Sequence, residues 1–509
     1  MYDTLIADKP NYRSVANDGG YGRYVRRTVR TVGDPARTGP TQERKRNAMK
    51  CSDDFVFGTA TASYQIEGAV NEDGRCPSIW DTFSHTGHTV NGDTGDVATD
   101  SYHRYKEDIA LLKDLGVDSY RFSIAMPRIM PTDGGPVNEK GVDFYSRVVD
   151  ELLEAGIKPC ATVYHWDLPQ YLGDKGGWQN RDTAWRVADY ARVMGERLGD
   201  RVDTWITVNE PWCVSYLSYG GTEHAPGLGG GPAAFETVHH VNLAHGLIAQ
   251  ALRGEVKDDA KIAVTLNLQV NRGDADAVHR TDLIANRVFL DPMLRGYYPN
   301  ELFTVTKGIC DWAFIKDGDL DLIHQPIDML GLNYYSTGLV TMSDRPQFPQ
   351  STEASTFPGC SDIDWLPTEG PHTEMGWNID PNGLYDLLVR LHNDYPEYPL
   401  FITENGMACP DEPVVDTDPA TGERVKAVHD ADRIDYLTRH FDAARRAMEA
   451  GVPLTGYYVW SLLDNFEWAF GYTKRFGITY VDYETQERTP KDSFMWYKQL
   501  IASRELPVL

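Results

Sequence analysis

The chain has 509 residues and carries 75 Asp and Glu against 49 Lys and Arg, a formal net charge of -26. Such a balance repels nucleic acid and anionic membrane surfaces and suits an uncharged small-molecule ligand. No apolar run reaches membrane-spanning length, no apolar segment near the start reads as a secretory signal, and the seven cysteines form no CxxC pair or zinc-spaced set, which favours reduced thiols in a cytoplasmic protein.

In chain order, residues 1–48 come first, rich in Arg, Gly, Thr and Asn and poor in aliphatic residues. Arg23, Arg26, Arg27, Arg30 and Arg37 form a loose basic run there. This composition predicts a disordered N-terminal extension, with Met49 an alternative start. From Phe55 onward, short β-rich runs alternate with longer helical patterns through one domain, residues 49–509. The predicted strands are 55–60, 118–125, 159–165, 204–209, 261–267, 328–334, 399–403 and 455–461, rich in Val, Ile, Tyr, Phe and Thr. Several are continuous apolar runs, as strands covered on both faces should be. The predicted helices are 101–116, 138–156, 181–198, 233–253, 282–296, 382–394, 432–450 and 490–503. In the second of them Tyr145, Val148, Val149, Leu152 and Leu153 share one face before Gly156 stops the helix. Pro490 and Asp492 suit the start of the last. The connection from Thr337 to about Asn378 is long and rich in Pro, Ser, Thr and Asp, as functional lids or disordered segments are.

Eight alternating units predict a parallel α/β sheet with right-handed crossovers, closed into a single (β/α)8 TIM barrel with long βα loops. An open doubly wound sheet is the alternative, weakened because no Gly-rich phosphate fingerprint follows the first strand. A barrel keeps its active site at the C-terminal strand ends. Those ends here are polar and aromatic: Tyr164-His165-Trp166-Asp167, Val208-Asn209-Glu210-Pro211, Asn333-Tyr334-Tyr335, Thr403-Glu404-Asn405-Gly406, and Trp460 followed by Asp464-Asn465-Phe466-Glu467-Trp468. Glu210 and Glu404 matter most. A carboxylate in a partly dry pocket costs several kcal/mol unless paired, which suits proton-transfer or nucleophilic work. Two such acids without a metal cluster are the equipment of glycoside hydrolysis, about 5–5.5 Å apart in a retaining enzyme. Trp460 and Trp468 can stack on a sugar ring, and Gln65, His165, Asn209 and Glu467 can hydrogen-bond its hydroxyls. His239, His240 and His245 lack a metalloprotease spacing and read as structural, so neither metal nor cofactor is expected.

At these residues the chain resembles glycoside hydrolase family 1, the β-glucosidase family, over about residues 53–503. The segments that carry the likeness are Phe57-Gly58-Thr59-Ala60-Thr61-Ala62-Ser63-Tyr64-Gln65-Ile66-Glu67-Gly68, Tyr164-His165-Trp166-Asp167-Leu168-Pro169-Gln170, Thr207-Val208-Asn209-Glu210-Pro211, Ile402-Thr403-Glu404-Asn405-Gly406 and the stretch from Trp460 to Asp482. The resemblance implies a retaining β-glycosidase with Glu210 as acid/base and Glu404 as nucleophile. It implies Asn209 on the 2-hydroxyl, a glycone subsite of Gln65, His165, Trp166, Glu467 and Trp468, and Trp460 beneath the ring. Tyr335 would hydrogen-bond the nucleophile, Asn333 would position Glu210, and Arg121 would hold the nucleophile ionised. The substrate implied is a small-molecule β-glucoside, with β-galactosides and β-fucosides also accepted and short oligosaccharides, as in cellulose degradation, included; a homo-oligomer is left open. Ala125-Met126 stand where the family commonly has Ser-Trp, away from the implied chemistry. A 6-phospho-β-glycosidase is disfavoured because the Glu467 carboxylate would repel a dianion. A thioglucosidase usually lacks the acid/base Glu, and an inactive sugar-binding barrel loses one catalytic Glu; both are present here. Trp212, Leu217, Trp377 and the 337–378 connection are expected to shape the leaving-group entrance.

Overall fold

The computed structural model describes residues 49–344, 354–417 and 422–509; the predicted N-terminal extension lies outside them. Eight parallel strands close into a barrel: β1 (Val56–Ala60), β2 (Ser119–Ser123), β3 (Lys158–Tyr164), β4 (Thr204–Asn209), β5 (Lys261–Asn267), β6 (Met329–Asn333), β7 (Leu400–Asn405) and β8 (Leu454–Trp460). Each pairs with its neighbours in chain order and β8 pairs back onto β1, Trp460 opposite Ala60. Every predicted strand is present, its ends within two residues of expectation. These strands are buried almost throughout because both faces are covered, one by the barrel interior and one by helices.

The helices that cover the barrel are α1 (Ser101–Leu115), α2 (Glu139–Glu154), α3 (Asp182–Leu198), α4 (Gly231–Arg253), α5 (Val288–Arg295), α6 (Pro381–Asp394), α7 (Ala431–Glu449) and α8 (Asp492–Ser503). In α2 the apolar face holds for Tyr145, Val148, Val149 and Leu152, but Leu153 falls at the solvent edge. The stretch predicted as one helix over 282–296 is instead a π-helical turn, Leu283–Arg287, followed by α5. Asn286 holds the wide turn by bonding both backbone groups of Gln269, at 2.7 and 2.8 Å. Pro292 sits inside α5 without an N–H to offer Val288, and Asn242 Nδ2 donates to that carbonyl at 3.0 Å instead. Pro490 is not in α8 but ends a short strand, Arg488–Pro490, antiparallel to Thr479–Val481.

Of the 337–378 connection, residues 345–353 lie outside the described residues; on either side of them the chain forms strands. Thr337–Met342 pairs with Ile363–Leu366 on one side and with Val270–Gly273 on the other, forming a three-stranded sheet outside the barrel. Ala125 and Met126, the departure from the family pattern, are buried, with the Ala125 N–H donating to Tyr145 Oη at 2.8 Å.

The loops after β7 and β8 are tied together by buried charge. Arg433 donates to Asp411 at 2.6 Å and pairs with Asp430; Lys491 bridges Asp411 at 2.6 Å and Asp464 at 2.7 Å, and Arg475 meets Asp464 at 2.7 Å. Asp464 opens the loop that carries Glu467 and Trp468, so this network fixes the position of that loop. Removing one member of a buried ion network strands its partners, at a cost of about 3–5 kcal/mol. Arg433→Met is therefore expected to lower stability by about that amount, read as a lower midpoint of urea unfolding.

Candidate active site

The residues singled out for the site lie at the C-terminal ends of the barrel strands or in the segments that follow them, except Arg121. Glu210 follows β4, of which Asn209 is the last residue, and Glu404 lies near the end of β7. His165 and Trp166 follow β3, Asn333 ends β6 with Tyr335 two residues on, and Trp460 ends β8. Gln65 sits in the short helix Ser63–Ile66 after β1, Arg121 is in the middle of β2, and Glu467 and Trp468 lie in the loop after β8. Glu210, Glu404, His165, Trp166, Asn333, Tyr335, Trp460, Glu467 and Trp468 line one pocket of about 150 Å³. Gln65, Asn209 and Arg121 are fully buried, each hydrogen-bonded to a residue that lines it: Glu467, His165 and Glu404.

The two carboxylates have unlike surroundings. Glu404 Oε1 accepts from Arg121 Nη1 at 2.5 Å, and its Oε2 accepts from Tyr335 Oη at 2.7 Å. Four of the five Arg121 N–H groups are engaged: it also donates to the Thr403 carbonyl at 3.2 Å, Thr162 Oγ1 at 3.2 Å and Asn209 Oδ1 at 2.5 Å. Among the described residues no cation is bonded to Glu210. Its Oε1 accepts from Asn333 Nδ2 at 2.7 Å and its Oε2 from the Cys213 thiol at 3.2 Å. Burial, then the charge of Glu404, push the Glu210 carboxyl up to about 8, while Asn333, Cys213 and Arg121 oppose the rise. The two acids are joined by a continuous bonded path: Glu404 to Arg121, Arg121 to Asn209, Asn209 to Asn333 at 3.3 Å, and Asn333 to Glu210. Thr403 Oγ1 donates to Asn333 Oδ1 at 2.6 Å, which fixes the amide so that its N–H side faces Glu210.

The opposite wall is aromatic and polar. The ring of Trp468 lies 4.5 Å from that of Trp166 and 4.6 Å from that of Trp80, and is stacked on Tyr64 at 6.2 Å. His165 bonds Asn209 at 3.1 Å through Nε2, and burial drives its pKa far down, so the ring is neutral. Glu467 is half-buried, accepts from Gln65 Nε2 at 3.5 Å, and is pushed up to about 8 by burial and by the charges of Glu404 and Glu210. Glu210, Trp166 and Trp468 all have left-handed backbones, with φ of 49°, 82° and 50°. Residues with side chains rarely adopt that region, and when they do they cluster at functional sites, where the surrounding packing enforces it.

Trp212, Leu217 and Trp377 also line the pocket. Cys213 was not singled out in the sequence. It opens a π-helical segment, Cys213–Gly220, directly after Glu210, and receives a hydrogen bond from Asn267 Nδ2 at 3.3 Å. Phe357 and Trp365 also line the pocket from segments that carry no motif, and Phe470 and Phe476 line it from within the Trp460 to Asp482 stretch. The three histidines on α4 are engaged separately: His239 with Asp319 at 2.8 Å, His240 with the Trp178 carbonyl at 2.8 Å and His245 with Thr207 at 2.7 Å. Among the described residues no group of His, Cys, Asp and Glu is placed to hold a metal ion.

A closed parallel barrel whose pocket sets one Arg-bonded carboxylate against one cation-free carboxyl defines a carboxylate-pair hydrolase of the glycosidase class. Residues 48–506 match the model of glycosyl hydrolase family 1. A bifunctional β-D-glucosidase/β-D-fucosidase of Bifidobacterium breve is 69% identical over 452 residues, covering 88% of this chain and 97% of its own. Two solved structures superpose on it: a psychrophilic β-glucosidase of Micrococcus antarcticus, 45% identical with a TM-score of 0.82 over 90% of this chain and 98% of its own, and a family 1 β-glucosidase of Thermotoga maritima, 44% identical with a TM-score of 0.81 over 90% and 99%. The chain belongs to glycosyl hydrolase family 1.

The Cys213 thiol favours the charged form of Glu210, so its removal pushes that carboxyl further up. The group is neutral below its folded value and charged above it. Activity that needs its proton therefore declines as pH climbs through about 8. Cys213→Ala is expected to move the alkaline limb of kcat/KM to higher pH, and a pH profile of the two proteins on an aryl glucoside checks it.

Proposed function

We propose that this protein is a retaining β-glycosidase that removes terminal non-reducing β-D-glucosyl and β-D-fucosyl residues, and β-galactosyl residues as well, from β-glycosides and short oligosaccharides of the kind released in cellulose degradation. The observation that carries this reading is the asymmetry of the two acids. Glu404 is held by a guanidinium and a phenol, Glu210 by an amide and a thiol, and both face one pocket.

In this reading Glu210 starts protonated and gives its proton to the leaving oxygen while Glu404 attacks the anomeric carbon. The C–O bond to the leaving group breaks as the bond to Glu404 forms. Esterification removes the Glu404 charge, and with it the repulsion that raises Glu210. Glu210 then takes a proton from water, which attacks the anomeric carbon and releases Glu404. Asn209 contacts the 2-hydroxyl, Asn333 positions the acid, and Gln65, His165, Trp166, Glu467 and Trp468 hold the glycone over Trp460. A neutral His165 serves either as donor or acceptor to a hydroxyl. The carboxyl of Glu467 in the same pocket disfavours a phosphorylated glycone. The seven unpaired thiols support a reducing, cytoplasmic setting, and no helix among the described residues is long and apolar enough to cross a membrane.

Glu404→Ala is expected to abolish nearly all turnover of p-nitrophenyl β-glucoside, and azide or formate to restore part of it with inverted stereochemistry; wild-type turnover in the variant overturns the reading. Glu210→Ala is expected to slow poor leaving groups far more than activated aryl ones, because protonation matters little for the latter. Equal losses across a leaving-group series contradict the assignment.

A further inference from the structure

Behind Glu404 the hydrogen bonds form a closed ring. Side chains alternate along β7, so Glu404 faces the pocket while Asn405 turns away from it and meets the covering helix α7. Both ends of the Asn405 amide are engaged there. Its Oδ1 accepts from Tyr457 Oη at 2.5 Å, and its Nδ2 donates to the Tyr334 carbonyl at 2.7 Å and to Tyr436 Oη at 3.0 Å. Tyr436 Oη in turn donates to the Tyr335 carbonyl at 3.2 Å. Tyr335 Oη then donates to Glu404 Oε2 at 2.7 Å, which brings the path back to the residue beside Asn405. The Tyr334 N–H, donating to the Glu404 carbonyl at 3.1 Å, braces the ring from within.

The ring solves a local problem. Residues 334–336 join β6 to the strand Thr337–Met342 and belong to neither. Carbonyls in such a stretch need donors from elsewhere. Asn405 supplies one to Tyr334 and Tyr436 supplies one to Tyr335. Tyr436 is well fitted to the task. It is fully buried, its ring stacks on His440 at 3.9 Å, and burial raises its hydroxyl far above the usual phenol range, so it keeps the proton that it donates. Tyr335 is only half-buried, and its ring meets Trp377 at 5.2 Å and Phe476 at 6.0 Å. Its main chain therefore needs a hold from behind to keep the phenol on one oxygen of Glu404.

We propose that Tyr436, outside the barrel on α7, is a positioning residue for the reaction: its hydroxyl ties the Tyr335 main chain to Asn405 and so keeps the Tyr335 phenol on Glu404. The inference rests on the proposed reading of Glu404 as nucleophile and deepens it. Tyr436 touches no substrate and acts through Tyr335 alone. A hold of this kind is felt in the transition state rather than in substrate binding, so its loss lowers kcat and kcat/KM together and leaves KM nearly unchanged. A small displacement far from the reacting atoms can cost as much as about a hundredfold in rate.

The test is a double-mutant cycle read as kcat and KM on p-nitrophenyl β-glucoside, with Tyr436→Phe, Tyr335→Phe and the two combined. Tyr436→Phe is expected to lower kcat about fivefold with KM within about twofold of wild type, and Tyr335→Phe to lower kcat by more, about fiftyfold. In the Tyr335→Phe background the second change should cost less than about twofold, because the hydroxyl that Tyr436 positions is already gone. Tyr457→Phe loosens Asn405 from its other side. It is expected to act in the same way and more weakly, and it carries the cycle if Tyr436→Phe does not fold. Wild-type kcat in Tyr436→Phe or in Tyr335→Phe overturns the inference. So does an equal loss from Tyr436→Phe, or from Tyr457→Phe, in both backgrounds, which marks a general loosening of the fold. Turnover at the wild-type rate in Glu404→Ala overturns the nucleophile reading instead.

Discussion

One guanidinium serves a pocket that holds three carboxyl groups. Arg121 is fully buried in β2 and bonds Glu404, not Glu210 or Glu467. The pocket lacks the countercharge for three anions, so burial and mutual repulsion drive Glu210 and Glu467 upward. The division of labour between the two acids thus follows from which of them the arginine can reach. That reach is set by strand order. β2 places Arg121 on the barrel axis side from which Nη1 meets β7 while Nη2 meets Asn209 at the end of β4.

The rest of the site maintains this imbalance. Asn333 supplies an uncharged donor to Glu210, and Thr403, beside Glu404 in the chain, locks the orientation of that amide. The buried network of Arg433, Asp411, Lys491, Asp464 and Arg475 lies below the loops that carry the remaining acid and the tryptophans. With Asp430, which also pairs with Arg433, three cations face three carboxylates there, so they hold the loops without altering the balance within the pocket.

The barrel was legible in the sequence because its strands alternate with helical patterns and several of them, covered on both faces, read as local apolar runs. The carboxylate pair was legible because barrel topology assigns chemistry to strand ends, and Glu210 and Glu404 stand there. Other features depend on contacts that no local pattern encodes. Cys213 is an ordinary buried cysteine in sequence, and only the π-helical turn after Glu210 brings its sulfur onto the acid. Thr337–Met342 lies in a polar, Pro-rich stretch and becomes a strand by pairing with Val270–Gly273, far upstream. Pro490 looked like a helix start because proline is tolerated there, but a strand needs only that its missing N–H go unused. Trp365 was hidden for the same reason as the sheet that carries it.

The left-handed backbone at Glu210, Trp166 and Trp468 has a consequence for selection. Glycine would relax the main chain at each position, yet it would delete a carboxyl or an indole from the pocket. Pressure for heat resistance and pressure for turnover therefore oppose each other at these three positions. Variants that gain robustness without losing rate should arise on the outer helices and connecting loops, where no comparable conflict exists.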